Sequence, residues 1–171
     1  MNIANILTLT RMIMIPFFLF FFSLDSEVGK LLATIIFIVA SFTDFLDGYL
    51  ARKYHLITNF GKIMDPLADK LLVLSALLAL IANQQVPVWI VILILARELG
   101  ITGMRAVAAG EGVIIHAAPL GKVKTVVQML SIILLILNIS GGLFLLYIAL
   151  LLTWISGIDY IIKFSKQIAW N

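Results

Sequence analysis

The sequence predicts an all-α integral membrane protein with six transmembrane helices and a short N-terminal interfacial segment. Of its 171 residues, 63% are hydrophobic and only 12% are charged, and the mean hydropathy is +1.14. Soluble domains are roughly half apolar and about a quarter charged, so this composition argues against a soluble or a disordered chain. Long uncharged runs separate the charges that remain. The length fits a single membrane-embedded domain over residues 1–171.

Gaps in charge and turn signals divide the chain into spans. Residues 71–96 carry no charge, and neither do residues 125–158, a run too long for one span of about 20 residues. Residues 138–142 (Asn-Ile-Ser-Gly-Gly) predict a turn in the middle of the longer run, and residues 83–87 and 25–30 predict two more. The predicted spans are 6–24, 31–51, 66–82, 87–105, 122–138 and 142–162. The stretch from Asn2 to Arg11 is expected to lie on the membrane surface before the chain turns inward near Pro16.

Basic residues predict which side of the membrane each end faces. An even number of spans places both termini on the same side as the segments 52–65 and 106–121. On the opposite side Lys30 is the one basic residue. The side with the termini carries most of the others: Arg52, Lys53, Lys62, Lys70, Arg105, Lys122, Lys124, Lys163 and Lys166. Because basic residues concentrate in cytoplasmic segments, we expect both termini to be cytoplasmic.

Four aspartates flank the predicted cytoplasmic segment 52–65. Asp44 and Asp47 end the second span, and Asp65 and Asp69 begin the third. Spacings of three and four residues place each pair on one helix face, and antiparallel neighbouring helices bring both pairs to one depth. Burying clustered carboxylates is costly unless a cation neutralises them. Oxygen ligands favour a hard divalent ion such as Mg²⁺, Mn²⁺ or Ca²⁺.

Each of these features alone also has a simpler structural interpretation. Asp65 before Pro66 is typical of an N-cap with proline at the first helical position. The aspartates of the second span could be a solvated helix end. Gly48 and Ala51 share the aspartate face, where small residues either admit a large ligand or allow close helix packing. Taken together, the two paired spacings favour the metal site.

The whole stretch resembles the signature of the CDP-alcohol phosphatidyltransferases, enzymes that use an alcohol to displace CMP from a CDP-linked substrate. The residues that carry the resemblance are Asp44, Asp47, Gly48, Ala51, Arg52, Gly61, Asp65 and Asp69. The resemblance implies two divalent cations, Mg²⁺ or Mn²⁺, held by the four aspartates, with Asp69 also acting as general base. It implies CDP-lipid binding by Asn5, Thr8, Arg11, Gly48, Ala51, Arg52 and Gly61. The first three of these form one helical stripe, which an ordinary amphipathic interfacial helix would also explain.

The second half of the chain is expected to select the acceptor. Arg97 and Arg105 share one face of the fourth span, about two turns apart, and Lys122 and Lys124 open the fifth. Such cations suit a phosphate, and these segments resemble the family branch that uses glycerol 3-phosphate. The resemblance implies phosphatidylglycerophosphate as product. Alternatively, Arg97 forms an internal ion pair with Glu98 or with the aspartates, and the lysines are a cytoplasmic flank.

Two rival functions remain open at this point. One is another acceptor within the same family, phosphatidylglycerol or an inositol phosphate. The other is a divalent-cation transporter, although transport sites usually lie on broken helices near the bilayer midplane. The expected partners are CDP-diacylglycerol, glycerol 3-phosphate, the lipid bilayer and a second copy of the chain, with no nucleic acid. The expected location is a bacterial cell membrane, with the active site on the cytoplasmic side.

Overall fold

A computed structural model describes residues 3–53, 59–111 and 119–168, and all regular structure in these ranges is helical. The helices are α1 (Ile3–Ser23), α2 (Glu27–Lys53), α3 (Asn59–Ala82), α4 (Val88–Gly110), α5 (Pro119–Ile136) and α6 (Gly142–Ile168). Each corresponds to one predicted span. The prediction of an all-α chain is therefore confirmed over the described ranges.

The N-terminal helix corrects one expectation. We expected a segment on the membrane surface that turns inward near Pro16. This prediction is wrong, because α1 is continuous from Ile3 to Ser23 and contains Pro16. Thr8 and Arg11 are fully buried, and α1 packs against both α2 and α3. Since Thr8 and Arg11 are buried among these helices, the N-terminal stretch packs into the bundle as part of a long helix.

The start of α3 excludes one alternative that the sequence left open. Asp65 is not an N-cap, because α3 begins six residues earlier, at Asn59. Pro66 lies inside the helix and not at its first position. Asp65 and Asp69 are consequently two positions of one continuous helix, one turn apart.

Three short turns meet at one end of the bundle. Asp25, Lys30, Gln85 and Asn138 line a common surface depression, and the Gln85 amide donates a hydrogen bond to the Asn138 side chain. Asp25, Gln84 and Asn138 have φ values of 44°, 57° and 54°, in the left-handed region that Asn and Asp tolerate better than most residues. The predicted turns at 25–30, 83–87 and 138–142 therefore share one end of the bundle.

Helices α4 and α6 run parallel, as alternating helix directions require. Trp89 contacts Tyr147 with ring centroids 6.0 Å apart, Arg97 contacts Ser156, and Arg105 lies over the ring of Tyr160. The residue numbers of the contacting pairs increase together along α4 and α6, so the two helices point the same way.

The outer surface of the bundle is apolar. Phe144 is 70% exposed and Leu151 is 64% exposed, while a core that includes Phe18, Phe37 and Ile90 is fully buried. Soluble monomers rarely expose extensive apolar surface. Two stretches, Ile6–Ser23 and Gly142–Lys166, are also long and apolar enough to cross a membrane. These features are typical of a membrane protein.

Candidate active site

The backbone places two aspartates near the C-terminal end of α2 and two near the N-terminal end of α3. Asp44 and Asp47 lie in the last three turns of α2, and Asp65 and Asp69 lie in the first three turns of α3. Asp69 has a described side chain, which is half-buried. Several predicted site side chains lie outside the described residues: Asn5, Asp44, Asp47, Gly48, Ala51, Arg52, Gly61 and Asp65. The convergence of the four carboxylates stays a prediction.

A cavity of about 200 Å³ lies between α3, α4 and α5, and Asp69 lines it. Most of its lining is apolar, including Leu71, Leu74 and Met129. The polar lining residues are Asp69, Lys70, Glu98, Lys124, Thr125 and Gln128. A cavity of this composition suits a ligand with both charged and apolar parts.

The chemistry of the donor set fits a hard divalent cation. Carboxylate oxygens are the ligands that Mg²⁺ and Mn²⁺ prefer, and all four predicted ligands are aspartates. Asp69 places one of these carboxylates at the wall of the cavity between α3, α4 and α5. The residues present are therefore compatible with the cations that the sequence motif implies.

Glu98 of α4 is the centre of a charged cluster. Its Oε1 atom accepts a hydrogen bond from Arg97 Nη1 at 2.9 Å and another from the ammonium of Lys124 on α5. Lys70 Nζ of α3 lies 4.0 Å from Glu98 Oε2. Cations from three helices thus share one carboxylate. The ion pair between Arg97 and Glu98, one of the alternatives open from the sequence, is confirmed.

Arg97 also joins α4 to α6. Its Nη2 atom donates a hydrogen bond to Ser156 Oγ at 2.7 Å. Gly157 lies directly beside it, because a β-carbon at position 157 would stand 3.1 Å from both Cγ and Nε of Arg97. The described contacts of Arg97 are therefore structural, and its role in binding an acceptor phosphate stays a prediction.

Replacing Gly157 with alanine is expected to destabilise the protein by about 1 kcal/mol, because Arg97 is held on both sides and cannot move aside without losing contacts. The matched control is Gly103→Ala on α4, where an added β-carbon meets nothing within 4 Å. Helix propensity alone would make both substitutions stabilising. Thermal unfolding in detergent should show a lower Tm for Gly157→Ala only; equal Tm values would mean that Arg97 is not rigidly held.

The other predicted phosphate ligands face different surroundings. Arg105 is exposed and its guanidinium lies 5.3 Å from the ring centroid of Tyr160 on α6, while Lys122 is exposed. Lys124 is 5% exposed and lines the same cavity as Asp69. Among the described residues, Lys124 is thus the cation predicted to bind the acceptor phosphate that lines the same cavity as the predicted general base, Asp69.

Sequence reasoning missed Lys70 and did not assign Glu98 to the site. Both lie in mostly apolar helices, where an ionisable residue usually faces the protein interior and has a partner. The sequence therefore indicated that both residues face the protein interior. It did not indicate which residues they contact, because those contacts depend on how α3, α4 and α5 pack.

Comparison with known proteins identifies the family. The sequence profile of the CDP-alcohol phosphatidyltransferases matches residues 1–157. The chain belongs to the CDP-alcohol phosphatidyltransferase family. The family expectation drawn from the aspartate motif is confirmed, and the match runs from α1 into α6, so it includes the Glu98 cluster as well as the motif.

Several bacterial relatives are similar over nearly the whole chain. A Bacillus subtilis protein is 40% identical, over 97% of this chain and 95% of its own length. A Rickettsia bellii protein is 39% identical over 93% of each chain, and a Haemophilus influenzae protein is 40% identical over 94% of this chain and 91% of its own. All three are named CDP-diacylglycerol–glycerol-3-phosphate 3-phosphatidyltransferase.

Proposed function

We propose that this CDP-alcohol phosphatidyltransferase transfers the phosphatidyl group of CDP-diacylglycerol to glycerol 3-phosphate, releasing CMP and forming phosphatidylglycerophosphate. The observation that carries the proposal is the near-full-length similarity, at about 40% identity, to relatives that bear the name of this activity. The cavity lined by both Asp69 and Lys124 supports it, because the reaction needs a base and a phosphate-binding cation close together.

Asp69 acts as the general base in this proposal. Its carboxylate takes the proton from the acceptor hydroxyl, whose oxygen then bonds to the phosphatidyl phosphorus as the bond to CMP breaks. Lys124 binds the acceptor phosphate from the α5 side of the same cavity. Arg105 is exposed near the C-terminal end of α4, and Lys122 is exposed near the start of α5. From these positions they attract the anionic acceptor.

Asp44, Asp47, Asp65 and Asp69 hold the divalent cations, Mg²⁺ or Mn²⁺. When bound there, these cations would neutralise the pyrophosphate and the developing charge on the leaving CMP. Gly48 and Ala51 leave room for the nucleotide. The remaining proposed CDP-lipid contacts come from the end of α2, the start of α3 and the first turns of α1: Arg52, Gly61, Asn5, Thr8 and Arg11.

All six helices cross the bacterial cell membrane in this proposal, as one domain with both termini and the site on the cytoplasmic side. The exposed apolar surface and the three short turns at the opposite end support this arrangement. The acyl chains of CDP-diacylglycerol then stay in the bilayer while its head group meets a water-soluble acceptor. Two such chains form a homodimer.

A panel of acceptors tests the proposed function. Purified protein is incubated with CDP-diacylglycerol and Mn²⁺ or Mg²⁺, and CMP release is measured with glycerol 3-phosphate, phosphatidylglycerol or an inositol phosphate. We expect glycerol 3-phosphate to exceed the other acceptors in kcat/KM by at least about a hundredfold, since both rivals are bulkier than glycerol 3-phosphate and the cavity beside Asp69 measures about 200 Å³.

The panel also separates the rivals. If CMP were released with phosphatidylglycerol or an inositol phosphate but not with glycerol 3-phosphate, the chain would still be a CDP-alcohol phosphatidyltransferase, but the proposed acceptor would be wrong. No CMP release with any alcohol, together with Mn²⁺ transport into sealed vesicles, would favour the transporter.

A further inference from the structure

Glu98 joins four helices at the level of the cavity. Its carboxylate binds Lys124 of α5 and lies 4.0 Å from Lys70 of α3, and through Arg97 it is tied to Ser156 of α6. The side chains of Lys124 and Arg97 are 7% and 11% exposed. Such desolvated cations are stable only beside a counter-charge. Removal of the Glu98 charge would leave the ammonium of Lys124 to lose its proton or turn away from the cavity.

Lys124 has hydrogen-bonding capacity beyond its contact with Glu98. An ammonium carries three N–H donors, and the Oε1 atom of Glu98 accepts one of those of Lys124. Lys124 lines the cavity together with Asp69. With one donor held by Glu98, the ammonium stays at the cavity wall, where it can donate to a phosphate that enters the cavity.

We infer that Glu98 is a positioning residue for the acceptor: it holds the Lys124 ammonium at the wall of the cavity, where that ammonium binds the phosphate of glycerol 3-phosphate. The inference rests on the proposed function. Glu98 itself does not touch substrate. Its carboxylate fixes the direction of one cation, so its effect reaches the acceptor through Lys124.

This role predicts an effect on one substrate. Glu98→Gln keeps the shape of the side chain and removes its charge, so the KM for glycerol 3-phosphate should rise by about tenfold, the value of one charge-assisted hydrogen bond. The KM for CDP-diacylglycerol should change less than about twofold, because the proposed nucleotide contacts lie on α1, α2 and α3. Glu98→Asp retains a carboxylate and should give an intermediate KM for glycerol 3-phosphate.

A double-mutant cycle separates positioning from a general effect on packing. Lys124→Met should raise the KM for glycerol 3-phosphate at least as much as Glu98→Gln does. The double variant Glu98→Gln/Lys124→Met should be no worse than Lys124→Met, because Glu98 acts through Lys124. The double variant leaves Arg97 without the Glu98 charge, whereas Glu98→Gln leaves both Arg97 and Lys124 without it, and Glu98→Asp keeps the test open if neither glutamine variant accumulates.

The control is Asp159→Asn, which breaks an exposed ion pair with Lys163 on α6 and should leave both KM values unchanged. An unchanged KM for glycerol 3-phosphate in Glu98→Gln, an equal rise in both KM values, or additive effects in the cycle would overturn the inference. A wild-type protein without glycerol 3-phosphate-dependent CMP release would instead overturn the proposed function.

Discussion

Replacing Asp69 with asparagine is expected to lower kcat for CMP release by about 10³-fold or more, since general-base catalysis alone contributes roughly 10²–10⁴-fold. An amide has nearly the same volume, but it cannot take a proton from the acceptor hydroxyl, and it is a weaker ligand than a carboxylate for the divalent cations. Much of the CDP-diacylglycerol binding should remain, because the proposed lipid contacts lie on other residues. Steady-state CMP release and equilibrium binding of CDP-diacylglycerol measure the two effects separately.

The control for Asp69→Asn is Asp159→Asn, which removes a carboxylate from the exposed part of α6. It should retain wild-type kcat. If Asp69→Asn turned over at a near-normal rate, Asp69 would not be the base. If it lost CDP-diacylglycerol binding altogether, its main role would be to hold the lipid.

Loss of one metal-binding aspartate from either helix is the second large expected effect. Asp47→Asn on α2 and Asp65→Asn on α3 should each lower kcat by about 10³-fold at a fixed low Mn²⁺ concentration, because residues that serve one centre act as a unit. For the same reason the double variant should be little worse than either single one. CMP release measured against Mn²⁺ concentration should show each single variant partly recovering at high Mn²⁺.

Different outcomes for the two helices would argue against a shared centre. If Asp47→Asn were inactive while Asp65→Asn had a normal Mn²⁺ dependence, the α3 aspartate would not be a ligand. Multiplicative losses in the double variant would mean that the two residues act independently.

The helices could be predicted from the sequence because their signals are local. Charge gaps and the turn residues near 25, 84 and 138 mark where helices end, whatever packs around them. The wrong expectation about α1 involved proline. Pro16 was expected to mark a turn inward, yet it lies inside the continuous helix α1, and Pro66, where the third predicted span begins, likewise lies inside α3. A proline therefore does not mark a helix end reliably in a bundle where neighbouring helices can compensate for the missing hydrogen bond.

The family was predictable because its sequence motif lies on one pair of helices. The spacing of the aspartates identified the family, since each pair needs only its own helix to share a face. The surroundings of Lys124 were not predictable in this way. Its contact with Glu98 and their closeness to Lys70 depend on how α3, α4 and α5 pack, and periodicity within one helix carries no information about that packing.

The central claim is that carboxylates from α2 and α3 bind the same divalent cations. Electron paramagnetic resonance of free Mn²⁺ measures this binding directly, without turnover, in purified protein with CDP-diacylglycerol present. We expect about two Mn²⁺ per wild-type chain, and a clear loss of bound Mn²⁺ in both Asp47→Asn and Asp65→Asn but not in Asp159→Asn. Wild-type Mn²⁺ binding in either of the first two variants would contradict the claim.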